Sequence, residues 1–97
     1  MTNIEIRKNK TGFTVKAEGH AGYDEYGKDI VCASISMLCY TLAECIHDGA
    51  VMEKSGEFYL TCQGADENDR QRLRVITEGF RLLANNYSKN VNLNIIE

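Results

Sequence analysis

The chain carries one pattern twice. Two short segments with apolar residues at alternate positions precede a longer segment in which they recur every three to four positions. A period of two marks a strand with one buried face, and a period near 3.6 marks a helix with one buried stripe. Asn3 to Lys8 sets Ile4 and Ile6 on one side. Phe13, Val15 and Ala17 alternate with Thr14, Lys16 and Glu18, and NKTG between the two runs reads as a hairpin turn. From about Asp29 to Asp48, Val31, Ile35, Leu38, Leu42 and Ile46 share a helical stripe, with Gly49 as the expected C-cap. A thinner second stripe holds Ile30 and Met37, with Ala33 and Tyr40 beside it. A helix apolar on two sides calls for two partners: the sheet, and another helix or another subunit.

The second round begins with strands at Val51 to Lys54 and Glu57 to Gln63, joined at Ser55–Gly56. Asp66 to Tyr87 then reads as a helix on Leu73, Ile76, Phe80, Leu83 and Tyr87. Asp66 or Asn68 is its cap, and Asp69 is favourable in its first turn. Val91, Leu93 and Ile95 alternate with asparagines as a last strand. The order β-β-α-β-β-α-β predicts one α+β domain over residues 1–97, a small sheet covered by helices on one or both faces.

Charge and cysteine usage narrow the function classes. Net charge is −3, with no basic tail, so the chain is not expected to bind nucleic acid directly. Arg70, Arg72 and Arg74 interrupt a helical core pattern and read as a solvated face. The N-terminus lacks an apolar run of signal-peptide length, and nothing approaches the roughly 18 apolar residues of a membrane span. A soluble, cytoplasmic protein with no membrane partner is expected. Cys32, Cys39, Cys45 and Cys62 form no C-x-x-C pair, so neither a zinc site nor any other metal or cofactor is expected. Cys45 and Cys62 fall near core positions and read as packing residues. Cys39 reads either way.

The stretch GHAGYDEYGKDIVCASIS concentrates the candidate chemistry. With Asp29 as N-cap, Cys32 lies in the first helical turn. There it meets unpaired N–H groups and the positive end of the helix dipole, surroundings that favour a thiolate. On the helical wheel Cys32 sits at the edge of the buried stripe, with Ser36 one turn on. His20 ends a strand, so its ring has an anchored base from which to reach the helix start. A neutral imidazole beside a thiol takes its proton and later protonates a leaving amine. N–H groups at the helix start, including that of Cys32, are the expected oxyanion donors. The loop between, with Gly22, Tyr23, Tyr26 and Gly27, reads as a lid over an extended peptide. The residues alone leave a second reading open, in which a structural His and Cys border a loop and Asp29 is only a cap. On that reading the chain is a non-catalytic peptide- or ribosome-binding module.

The same stretch resembles the signature of the ribosomal-processing cysteine protease family (Prp, also described as YsxB-like). The resemblance rests on Gly19, His20, Ala21, Gly27, Asp29, Ile30, Val31, Cys32, Ala33 and Ser36, with a weaker likeness in GFRLLANNYSKNVNLNI. It implies a homodimeric cytoplasmic endopeptidase of layered α/β fold with a Cys–His dyad. The implied substrate is the short N-terminal extension of large-subunit ribosomal protein twenty-seven. On that resemblance Cys32 is the nucleophile and His20 the general base and acid. Asp29 orients the histidine or binds substrate, Ser36 supports the site or the peptide, and Gly19 and Gly27 free the backbone. Tyr23 and Tyr26 depart from the family's loop and either pack a substrate side chain or cover the site. A copy borne by a phage or mobile element would keep the dyad and process another protein, such as a capsid component.

Overall fold

The computed structural model describes all 97 residues. Its elements are β1 (Thr2–Lys8), β2 (Gly12–Glu18), α1 (Ile30–Cys45), β3 (Gly49–Lys54), β4 (Glu57–Gln63), α2 (Glu67–Asn86) and β5 (Val91–Ile96). They form the α+β arrangement that the alternation predicts. The five strands make one sheet in the order β3-β4-β2-β1-β5. Every neighbouring pair is antiparallel except β1 and β5, which run parallel.

Only one sheet face is covered. Ile4 and Ile6, Phe13, Val15 and Ala17, and Phe58, Leu60 and Cys62 all point into a core completed by Val31, Ile35 and Leu42 of α1 and Leu73, Ile76 and Phe80 of α2. The opposite face presents Glu5, Arg7, Lys16, Glu18 and Tyr59. The registers that pair Glu5 with Lys16 and Lys16 with Tyr59 put these side chains in rows. A strand of period two with one dry face produces this split, and a slip of one residue would invert it.

The first helix differs from its sequence reading in two ways. It stops at Cys45 with Ile46 as an extended C-cap, three residues short of Asp48, and Gly49 opens β3. The left-handed residue in this connection is Asp48, with φ 53°. Gly49 is required for a different reason: a Cβ there would come within 2.7 Å of the Ile46 side chain, which turns inward to the core. The buried stripe also runs through Cys39, which is fully packed, and leaves Leu38 and Cys45 together on one shoulder and Cys32 on the other. Cys45 is therefore exposed, not a packing residue. Ile30 and Met37 of the second stripe stay largely in solvent, 55% and 67% exposed.

Two of the three arginines that read as a solvated run have structural partners. Arg72 donates to the Cys45 carbonyl at 2.9 Å, satisfying the C-terminal end of α1. Arg70 donates to the carbonyls of Asn9 and Lys10 at 3.2 and 3.1 Å, tying α2 to the β1–β2 turn.

Asp69 does more than favour the α2 dipole. It is fully buried, and its carboxylate accepts the His47 N–H at 2.8 Å and the Asp66 N–H at 3.0 Å, the latter as half of a capping box. The His47 N–H holds its pKa below the ordinary carboxylate value; burial opposes this, and the bonds from Asp66 add to it. A depressed folded-state pKa gives stability that is present above the ordinary carboxylate range and is lost as pH falls through the depressed value. Asp69→Ala leaves two buried N–H groups unpaired and is expected to cost about 3 kcal/mol by urea unfolding at neutral pH. The gap to the parent should narrow as pH is lowered toward 2.

Candidate active site

The site lies where the loop after β2 meets the start of α1. Gly19 opens the loop with φ 92°, and a Cβ there would sit 2.5 Å from the Met1 carbonyl, so only glycine fits. Its N–H bonds the Gly56 carbonyl at 2.9 Å, which fixes the departure of the chain from the sheet beside the β3–β4 turn. His20 follows, exposed. Its Nε2 faces that turn, 3.6 Å from where a side chain at Gly56 would begin.

Asp29 holds the next part of the site. Its carboxylate Oδ1 accepts the N–H groups of Val31 and Cys32, both at 2.9 Å, as the α1 cap. Its Oδ2 reaches back to the loop and accepts the N–H groups of Tyr23 at 2.9 Å and Asp24 at 3.2 Å. Burial alone would raise its pKa, but the four backbone bonds, that of Cys32 first, outweigh it and leave the pKa lowered. All four partners are backbone groups; the carboxylate bonds the loop and the helix start, not the His20 ring. The Cys32 N–H is also taken by this cap, so it is not the free oxyanion donor that the sequence suggests.

Cys32 is half-buried on the α1 shoulder. Its sulfur accepts a hydrogen bond from the Ala21 N–H at 3.3 Å, not from the His20 ring. Ala21 itself is buried, and its carbonyl accepts from the Asn90 side-chain amide at 2.9 Å. Asn90 lies 69 residues away in sequence, and nothing in the local pattern marks it.

His20 and Cys32 open onto one cleft of about 680 Å³. Gly19, Asp29 and Ser36 also line it, as do Tyr26 and Gly27 of the loop. Tyr26 is 97% exposed, whereas Tyr23 is not part of the cleft wall. The Tyr23 ring meets Tyr87 edge-on at 5.3 Å, pinning the loop to the end of α2. Further along α1 the wall includes Cys39, Tyr40, Glu53 and Phe58, which the sequence reading did not place there. Tyr40 donates its hydroxyl to Glu53 and packs edge-on against Phe58 at 5.7 Å. That hydroxyl bond, then burial and the Glu53 charge, push its phenol pKa up. Burial, reinforced by Glu53, pushes the Cys39 thiol up to about 12, which marks it as an inert packing group. Nowhere do three or more His, Cys, Asp or Glu side chains gather as a metal site requires. No helix is long and apolar enough to cross a membrane.

Solved structures share this architecture. A ribosomal processing protease Prp from S. aureus, crystallised with a covalently linked product peptide, superposes with a TM-score of 0.87 at 23% identity, over 98% of this chain and 99% of that one. The same enzyme with a substrate peptide gives 0.75 at 24% identity, over 98% and 99%. The protein SMU.848 from Streptococcus mutans gives 0.76 at 25% identity, over 99% and 94%. No curated protein sequence matches the chain significantly. At such identities the superpositions establish the fold. The family model described as cysteine protease Prp, by contrast, matches the sequence itself across residues 1–92. With the match spanning both helices and the whole His–Cys segment, the chain belongs to the cysteine protease Prp family and is a cysteine peptidase.

Proposed function

We propose that this peptidase removes the short N-terminal extension of large-subunit ribosomal protein twenty-seven, with Cys32 as nucleophile and His20 as general base and acid. The observation that carries this reading is the shared cleft: a half-buried sulfur at a helix N-terminus, with an imidazole on the facing loop. Membership of a cysteine protease family supports it. The ribosomal substrate follows the S. aureus relative, which is a ribosomal processing protease and was crystallised with substrate and product peptides.

The chemistry runs in two halves. The His20 ring turns from the β3–β4 turn to the sulfur and takes the thiol proton. Such contacts commonly tighten only when substrate is bound. The thiolate attacks the scissile carbonyl, the C–N bond breaks, and the imidazolium protonates the leaving amine. Water, deprotonated by His20, then hydrolyses the thioester and frees Cys32. Asp29 serves by holding the loop on the helix. Ser36, one turn beyond Cys32 on the cleft wall, and Tyr26 on the lid contact the peptide, and Gly27 lets the lid bend. Tyr23 anchors the lid through Tyr87.

The proposed setting is cytoplasmic, with a protein substrate, no direct nucleic-acid contact and no membrane contact. The net charge of −3 and the carboxylates of Asp24, Glu53 and Glu57 on the cleft wall suit a peptide rather than a polyanion. The exposed Ile30 and Met37 on α1 support a homodimer.

Incubation with the extended ribosomal protein, read by intact mass, tests this reading. The parent should give one clipped product. Cys32→Ala should give none, and His20→Ala should slow cleavage by roughly 100- to 10,000-fold, both with the fold retained. An unimpaired variant would refute the dyad. Asp29→Asn offers one acceptor oxygen where two are used. It should lose about 1–2 kcal/mol by thermal or urea unfolding and cleave more slowly, because half of the loop-to-helix bonding goes. Parent-like stability would show that the cap does not hold the loop.

A further inference from the structure

The Asp29 cap leaves a gap in the catalytic machinery. The N–H groups of Val31 and Cys32 both bond Asp29 Oδ1, and the Ala33 N–H is taken by the Asp29 carbonyl at 3.0 Å. The Cys32 N–H and those of its two neighbours in the first turn of α1 are therefore already occupied. The Ala21 N–H, 3.3 Å from Cys32 Sγ, is the donor that does face it.

What keeps that N–H in place is remote. Ala21 lies between His20 and Gly22, and Gly19 and Gly22 both have positive φ, so the segment has little intrinsic stiffness. Its outer side is tied to the turn between α2 and β5. Asn90 Nδ2 donates to the Ala21 carbonyl at 2.9 Å. The Asn90 backbone is itself fixed, donating to the Tyr87 carbonyl at 2.8 Å and accepting from the Thr2 N–H at 2.9 Å. The side chain thus bonds the active-site loop, while the backbone bonds hold the α2–β5 turn whatever residue stands there.

We propose that Asn90 is a positioning residue: its amide fixes Ala21 so that the Ala21 N–H stays on the Cys32 sulfur and then receives the oxyanion. This rests on Cys32 being the nucleophile. With the thiol proton already on His20, a sulfur lone pair forms the C–S bond. The carbonyl π pair moves to oxygen, and the Ala21 N–H shifts its hydrogen bond from sulfur to that oxygen. When the C–N bond breaks, the pair returns to re-form the carbonyl, and the proton on His20 leaves with the amine. A preorganised donor of this kind acts mainly on the transition state, so its loss falls on kcat.

Asn90→Asp is the discriminating variant, because it keeps the shape and cannot donate to a carbonyl. Asn90→Ala removes the contact without a new charge. Both should retain the fold, with melting temperatures within a few degrees of the parent. On the extended ribosomal protein, kcat should fall about tenfold with KM within about twofold. A second arm needs no substrate: site-resolved iodoacetamide labelling near neutral pH, with the exposed Cys45 as internal reference. Losing the N–H on the sulfur should lower the Cys32 rate several-fold relative to Cys45. A Cys32 rate equal to that of the parent, or a loss shared equally by Cys45, would overturn the proposal. If the parent fails to cut the ribosomal protein, the substrate reading falls, and the Cys32-to-Cys45 ratio still decides the role of Asn90.

Discussion

Two buried carboxylates set where the helices start and what they hold. Asp29 caps α1, Asp69 completes the capping box of α2, and each extends its other oxygen to a backbone segment outside that helix. A helix cap normally satisfies only its own first turn. Here Asp29 also bonds the loop that carries His20, and Asp69 also bonds the chain leaving α1. Because both acids are kept charged by backbone N–H groups, each link is charge-assisted and stronger than a neutral one. The rest of the site depends on the Asp29 link. Without it the hydrogen bond that joins the His20 loop to the Cys32 helix is the one from the Ala21 N–H to the Cys32 sulfur.

The cleft follows from that geometry. With both helices on one face of the sheet, α1 presents its buried stripe to the core and one shoulder to the groove beside β3 and β4. Cys32 falls on that shoulder, where a sulfur is anchored yet reachable. Cys39, nearer the centre of the stripe, is deeply buried, and its raised pKa keeps it inert. The two thiols thus differ in access according to their place around one helix. The other wall is built from the β3–β4 turn, whose Gly56 carries the loop by backbone bonding and leaves space beside the His20 ring.

Much of this could be read from the sequence, because it is local. The two hairpin-plus-helix rounds, the parallel last strand's apolar alternation and the Asp29 and Asp66 caps all depend on residues within a turn or two of one another. The partial exposure of Cys32 was legible from the helical wheel for the same reason. The end of α1 was not, because Ile46 turning into the core decides it, and Gly49 is needed for a contact rather than a cap. Cys45 was misplaced because the stripe centre is set by packing against α2, and periodicity alone leaves its rotation loose. Asn90, Tyr87, Tyr40 and Glu53 reach the site only through the tertiary fold. Arg70 and Arg72, read as a solvated face, turn out to bond carbonyls on other elements.

The central claim is that Cys32 forms the bond to the substrate. The most direct measurement is to quench a reaction with the extended ribosomal protein in acid, digest the enzyme and map the adduct by mass. A thioester of the released N-terminal extension on the Cys32 peptide, absent at later times as it hydrolyses, is the expected result. Continued cleavage with the adduct on Cys45, or with no adduct on any cysteine at the earliest times, would contradict it.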